Sequence, residues 1–162
     1  MSRLLEDVIT VAAPRERVWQ VVDDPNALQR VLPGCEELEM ESPGHYRAVM
    51  STRLPFLTLR VRGTATVTEV QRPEHMRLEI SGQPLGLVGS FTVSVPVDLS
   101  ATDDGGTRAS YAVDLHLTGR LAQFGAPILR SAVKGQVREM VANLEHELAK
   151  PAAPPAGEAS QP

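Results

Sequence analysis

"GAPILRSAVKGQVREMVANLEHELAK", residues 125–150, is the stretch whose reading decides the fold. Ile128, Leu129, Ala132, Val133, Gln136, Val137, Met140, Val141, Leu144 and Leu148 recur at helical spacing, so the segment reads as one long amphipathic helix. Gly135 lies inside it at a cost of about 1 kcal/mol relative to Ala, and is read as a point of bending or of close approach to a neighbour. No other stretch is long enough to cover a sheet, and an apolar helix face must be buried against another layer.

The sheet is written upstream, where the period changes to two. Tyr46, Ala48 and Met50 alternate with Arg47, Val49 and Ser51. Leu57, Leu59, Val61, Ala65 and Val67 alternate with Arg60, Arg62, Thr64, Thr66 and Thr68. Met76, Leu78 and Ile80 follow, then Phe91, Val93, Val95, Val97 and Leu99, then Tyr111, Val113, Leu115 and Leu117. Such alternation marks antiparallel strands with one buried and one wet face. "DDGG" at 103–106 supplies a hairpin turn. Pro96 on the polar face suggests an edge strand or a bulge.

The beginning of the chain is different. Residues 3–12 suit a strand, and Pro14 is placed as the first residue of a helix carrying Val18, Trp19, Val21 and Val22. Pro25 ends that helix, and a second short one, "PNALQRVL", runs to Pro33-Gly34. The expected fold class is α+β: a curved antiparallel sheet wrapped around a long C-terminal helix, with two short helices after the first strand. Residues 1–150 form one domain, and the Pro/Ala-rich 151–162 reads as a disordered tail.

The 162 residues carry a net charge of −4, which gives no reason to expect a nucleic-acid partner. One cysteine excludes an internal disulfide and suits a reducing cytoplasm. No run approaches ~18 apolar residues and the first residues lack a signal-peptide core, so the expected place is the cytoplasm, with at most peripheral contact at the inner face of the cell membrane.

"APRERVW" followed by "DDPNALQRVLPGCEEL", then "RVRGTATVTEV" and "GTRASYAVDLHLTGRLAQFGAPIL", resembles the CoxG family of carbon monoxide dehydrogenase proteins over about residues 3–149. That family belongs to the START-like, helix-grip group. The resemblance implies a non-catalytic accessory protein of molybdenum hydroxylases of the carbon monoxide dehydrogenase type. It further implies membrane recruitment and a quinone-like lipid carried between sheet and helix. The short tail has neither a basic nor an apolar anchor, which departs from relatives with longer extensions.

The residues offer little catalytic chemistry. Asp23 and Asp24 read as helix-end and turn residues ahead of Pro25. Cys35 has Glu36 and Glu37 beside it, which oppose thiolate formation, and is read as structural. His45, His75, His116 and His146 lack zinc spacing and are read as surface residues, so no metal site is expected. No catalytic residue and no cofactor is assigned. The expected partner is a hydrophobic small molecule, quinone- or lipid-like, lined by Tyr46, Met50, Leu59, Val61, Met76, Leu78, Phe91, Val93, Tyr111, Val113, Ile128, Leu129, Val133 and Val137. Tyr46 and Tyr111 are the candidates to orient its polar head. Trp19, Leu28, Leu32, Leu85 and Leu87 are placed at the entrance, the last two in a loop at 81–89. Arg47, Arg53, Arg60 and Arg62 form a basic outer face, read as a partner surface for an acidic protein or anionic head groups. Two other readings use the same residues: a polyketide cyclase-like enzyme on this fold, or an interaction module with a filled core.

Overall fold

Proline placement shapes the first part of the chain. The computed structural model describes residues 2–149, so the tail at 151–162 lies outside the described residues. Strand β1 (Ser2–Val11) leads to helix α1 (Arg15–Asp23), and Pro14 is the residue capping its start, one position earlier than expected. Helix α2 (Pro25–Val31) starts at Pro25, where a missing N–H costs nothing. The Asp24 side chain accepts a 3.0 Å hydrogen bond from the Asn26 N–H and caps it. Asp23 turns the other way and takes both arms of Arg72, at 2.6 and 2.7 Å. The guanidinium in turn lies 4.2 Å over the Trp19 ring.

Six further strands follow: β2 (Cys35–Ser42), β3 (His45–Arg53), β4 (Thr58–Gln71), β5 (His75–Pro84), β6 (Gly89–Ala101) and β7 (Thr107–Gly119). A 3-10 turn (Arg120–Gln123) then introduces helix α3 (Ala126–Leu148). The seven-stranded sheet runs β1-β7-β6-β5-β4-β3-β2 and is antiparallel throughout. This is the helix-grip arrangement. Strand β2 was not separately legible; it is an edge strand rich in glutamate, a composition that discourages further strand pairing.

The alternation phase is as expected. Pairs Met50–Val61, Val67–Leu78, Ile80–Val93 and Val97–Tyr111 stand on the face that α3 covers. Arg47, Arg53, Arg60 and Arg62 stand on the other. Two expectations give way. Pro96 sits in β6, an interior strand flanked by β5 and β7; its place in the ladder to β7 falls in a gap between Ser94–Asp114 and Val97–Tyr111, where no N–H is needed. Residues 81–84 belong to β5, so the expected loop at 81–89 shrinks to Leu85–Val88. Gly82 faces Gly63 across β4–β5; a Cβ on Gly82 would lie 2.8 Å from the Gly63 Cα and 2.8 Å from the Phe91 ring, so glycine permits close strand approach where the sheet curves.

A polar network fixes the far ends of β4 and β5. Glu69 adopts φ 50° in a bulge, and its carboxylate meets His75 at 3.2 Å and Arg77 at 2.6 Å. His75 also meets Asp98 at 2.8 Å, so it is tied down rather than free on the surface. The Asp98 hydrogen bond, then the Glu69 one, raise the His75 pKa above its ordinary value.

Two measurements check this. Urea unfolding of Asp24→Ala is expected to show a loss of about 1 kcal/mol, the worth of an N-cap, while Asp23→Asn, which breaks a half-exposed ion pair, costs under ~1 kcal/mol. Because the folded His75 pKa is raised, its stabilisation is present below the unfolded pKa of about 6.5 and is lost as pH rises through the folded value. Melting temperatures of wild type and His75→Gln are therefore expected to differ most in mild acid and to converge in alkali.

Candidate functional site

Helix α3 covers the curved face of the sheet without filling it. Of its 23 residues only Leu144 is fully buried. A helix packed flat on a sheet would bury its whole apolar stripe. Four separate packed clusters surround the middle instead. One joins Val11, Val21, Val31 and Leu144; a second joins Leu4, Leu5 and Val113 to Leu129 and Val133. A third gathers Trp19, Leu99 and Ala109, and the fourth Leu54, Leu59 and Leu121 with Ile128. Met50, Ala65, Val67, Leu78, Ile80 and Val137 join none of these clusters and remain partly exposed. A Cβ on Gly135 would meet nothing within 4 Å, so this glycine borders open space and the expected close approach does not occur. The result is an apolar hollow between sheet and helix.

The ten sheet residues expected to line the hollow share its face by direct strand register. Ile128, Leu129 and Val133 also pack toward the sheet. They are not equivalent, however. Val113 and Leu59 are packed core, while Met50 and Leu78 are the more accessible members. Of the entrance residues, Leu28, Leu32, Leu85 and Leu87 are half-buried. Trp19 is only 5% exposed, and its indole N–H donates to the Pro73 carbonyl at 3.2 Å, so it anchors a turn and borders no opening.

The polar fittings also differ from expectation. Tyr46 is buried and its hydroxyl donates to the Val22 carbonyl at 2.9 Å, so it ties β3 to α1 and is not free to orient a ligand. The Tyr111 hydroxyl has no hydrogen-bond partner among the described residues. Burial, then the charge of Asp7, push the Tyr111 pKa up, so it stays a protonated donor at neutral pH. Asp7 pairs across from Tyr111 on the same face, a carboxylate that sequence reading missed. Gln136 shares the α3 face of Leu129, Val133 and Met140, and its amide too has no partner among the described residues. A hydroxyl and an amide in an apolar surround can position a carbonyl or hydroxyl head group; they do not constitute an activated nucleophile. Cys35 is no better: burial, then Glu36, raise its pKa. Among the described residues no His, Cys, Asp and Glu group could hold a metal ion. No helix of the described residues is long and apolar enough to cross a membrane.

On the outer face Arg60 pairs with Glu36 at 2.7 Å and Arg47 with Glu41, leaving Arg53 and Arg62 without acidic partners among the described residues. Arg47 and Arg62 flank a shallow depression of about 350 Å³ over Gly63, Thr64, Ser81, Gly82 and Gln83. Another, at the β6–β7 hairpin, is lined by Ser100–Asp104 and Arg108. Neither has lining residues in common with the hollow.

The sequence matches the family of carbon monoxide dehydrogenase proteins described as CoxG over residues 8–149. No curated protein matches it. Among solved structures, a conserved protein from Geobacillus kaustophilus superposes with a TM-score of 0.80 at 22% identity, covering 89% of this chain and 93% of that one. Protein Ms6760 from Mycobacterium smegmatis gives 0.64 at 21%, covering 90% of each. Ara h 8.0201 gives 0.62 at 19%, covering 90% of this chain and 96% of that one. At these identities the likeness is one of fold.

Gly135→Ala tests the hollow directly. With open space at the glycine, the substitution is expected to raise stability by up to about 1 kcal/mol in urea unfolding. A loss of stability would show that α3 is tightly packed there.

Proposed function

The chain belongs to the CoxG family of carbon monoxide dehydrogenase proteins, and from that premise we propose that it is a non-catalytic carrier of an apolar, quinone- or lipid-like molecule. Membership suggests an accessory role beside carbon monoxide dehydrogenase. In this reading the protein holds an electron acceptor in the hollow and brings it, and the molybdenum hydroxylase, together at the membrane. The supporting observation is the thin packing of α3, which buries only Leu144 while a band of aliphatic side chains stays open beneath it.

The physics favours binding over chemistry. Each methylene taken from water by such a surface is worth about 0.8 kcal/mol, so an isoprenoid chain needs no specific contact to be held. The Tyr111 hydroxyl and the Gln136 amide, both without protein partners among the described residues, are the groups to receive a quinone oxygen. Neither Asp7, exposed at the sheet edge, nor Cys35, with its raised pKa, makes a general base or nucleophile against a bound apolar molecule.

Native mass spectrometry after organic extraction is the decisive test. Protein from its own host is expected to carry a stoichiometric isoprenoid quinone or similar lipid. Tyr111→Phe is expected to weaken uptake by roughly fivefold, the loss of about 1 kcal/mol for one hydrogen bond. Ala65→Trp is expected to abolish uptake by filling the hollow while the protein stays folded. Empty protein that takes up no quinone yet still binds the dehydrogenase would sink the carrier reading and leave a pure interaction module.

A further inference from the structure

Charge is unevenly written along this chain. Residues 43–68, 80–97 and 115–138 contain no Asp or Glu, although the whole protein is net −4. Between them these segments hold Arg47, Arg53, Arg60, Arg62, Arg120, Arg130, Lys134 and Arg138. Each segment also supplies a loop or turn to one end of the molecule: 54–57 between β3 and β4, 85–88 between β5 and β6, and the 3-10 turn before α3.

Those three loops are built on a common apolar base and tied to one another. Leu54 and Leu121 are buried there, with Leu57, Leu87 and Phe124 packed against them. The Leu85 N–H donates to the Arg60 carbonyl at 2.8 Å, and the Arg120 N–H to the Val88 carbonyl at 2.9 Å. On top of this base sit two apolar side chains that the fold does not use. Val88 is 78% exposed and Phe56 56% exposed, the latter held edge-on to Phe124 at 5.4 Å between ring centroids. Arg53 and Arg120, both exposed, have no acidic partner among the described residues. Exposed apolar groups on a rigid base beside unpaired arginines are what an anionic lipid surface requires: side chains to enter the interface and cations for the head groups.

We propose that this end of the molecule docks on an anionic lipid bilayer, with Phe56 and Val88 entering the interface and Arg53 and Arg120 pairing with head-group phosphates. The proposal deepens the carrier reading, because the same apolar base includes Phe91 and Val61 of the hollow's lining, so docking sets one end of the hollow against lipid. A protein partner would be expected to meet the patch with acidic side chains; two isolated apolar tips with few polar groups between them fit lipid better.

Co-sedimentation with phosphatidylcholine vesicles, with and without phosphatidylglycerol in equal parts, tests it on the full chain. Wild type is expected to bind the anionic vesicles, less so as salt rises. Phe56→Ser with Val88→Ser is expected to lower partitioning at least about tenfold, the worth of one such side chain leaving the interface. Arg53→Gln with Arg120→Gln is expected to remove the preference for phosphatidylglycerol. Arg108→Ser, at the opposite end of β7, is expected to change nothing. Because Phe56 and Val88 are exposed, unchanged melting temperatures check folding. Wild type that ignores both vesicle types, or variants that bind as wild type does, would overturn the proposal. So would variants that keep vesicle binding and lose the dehydrogenase instead. Quinone uptake from detergent solution, read by mass spectrometry, is expected to survive the tip substitutions; its failure in wild type would count against the carrier reading alone.

Discussion

The pairing of the first strand with the last is the constraint on which the rest depends. Every other neighbour in the sheet is joined by a local connection, whereas β1 meets β7 from the opposite end of the chain. That closure places α3 along β1, where the Arg130 guanidinium donates to the Leu4 carbonyl at 3.0 Å and Glu145 accepts from the Ala12 N–H at 3.1 Å. The helix is thus held from the flank at two points, and the apolar space beneath it is left free. Non-local pairing of this kind has a high loop-closure cost and forms late, so the hairpins from β2 to β7 are the natural folding unit and the grip is its last act.

Much of this was legible, because period two and period three-and-a-half are direct consequences of backbone geometry. The strand phase put Met50, Leu78 and Val93 on one face and the arginines on the other, as the register shows. Phase was lost where the ladder slips. The bulge at Leu4 puts both Leu4 and Leu5 into one cluster, which hides Asp7 on the inner face; the shift after Cys35 breaks the alternation that would have revealed β2. Val49 is buried on the arginine face for a similar reason: its neighbours Arg62 and Glu37 have long side chains that cover it.

The roles of Trp19 and Tyr46 lay beyond any periodic reading. Each is decided by a carbonyl far along the chain, Pro73 for the indole and Val22 for the phenol. An aromatic with a polar tip buries itself wherever a partner happens to be, and only tertiary structure names the partner. The helix-end aspartates were easier, since Asp24 acts on Asn26 two residues away.

The separation of packed clusters from the unpacked band has an evolutionary consequence. Side chains such as Val67, Leu78 and Ile80 lie outside every cluster, so exchanging one aliphatic for another there disturbs few contacts and costs the fold little. Drift can therefore alter the shape of the interior while the strand register and the grip of α3 are retained. A lineage built on this scaffold is free to change cargo without passing through an unfolded ancestor, in keeping with structures that superpose closely at about one-fifth identity.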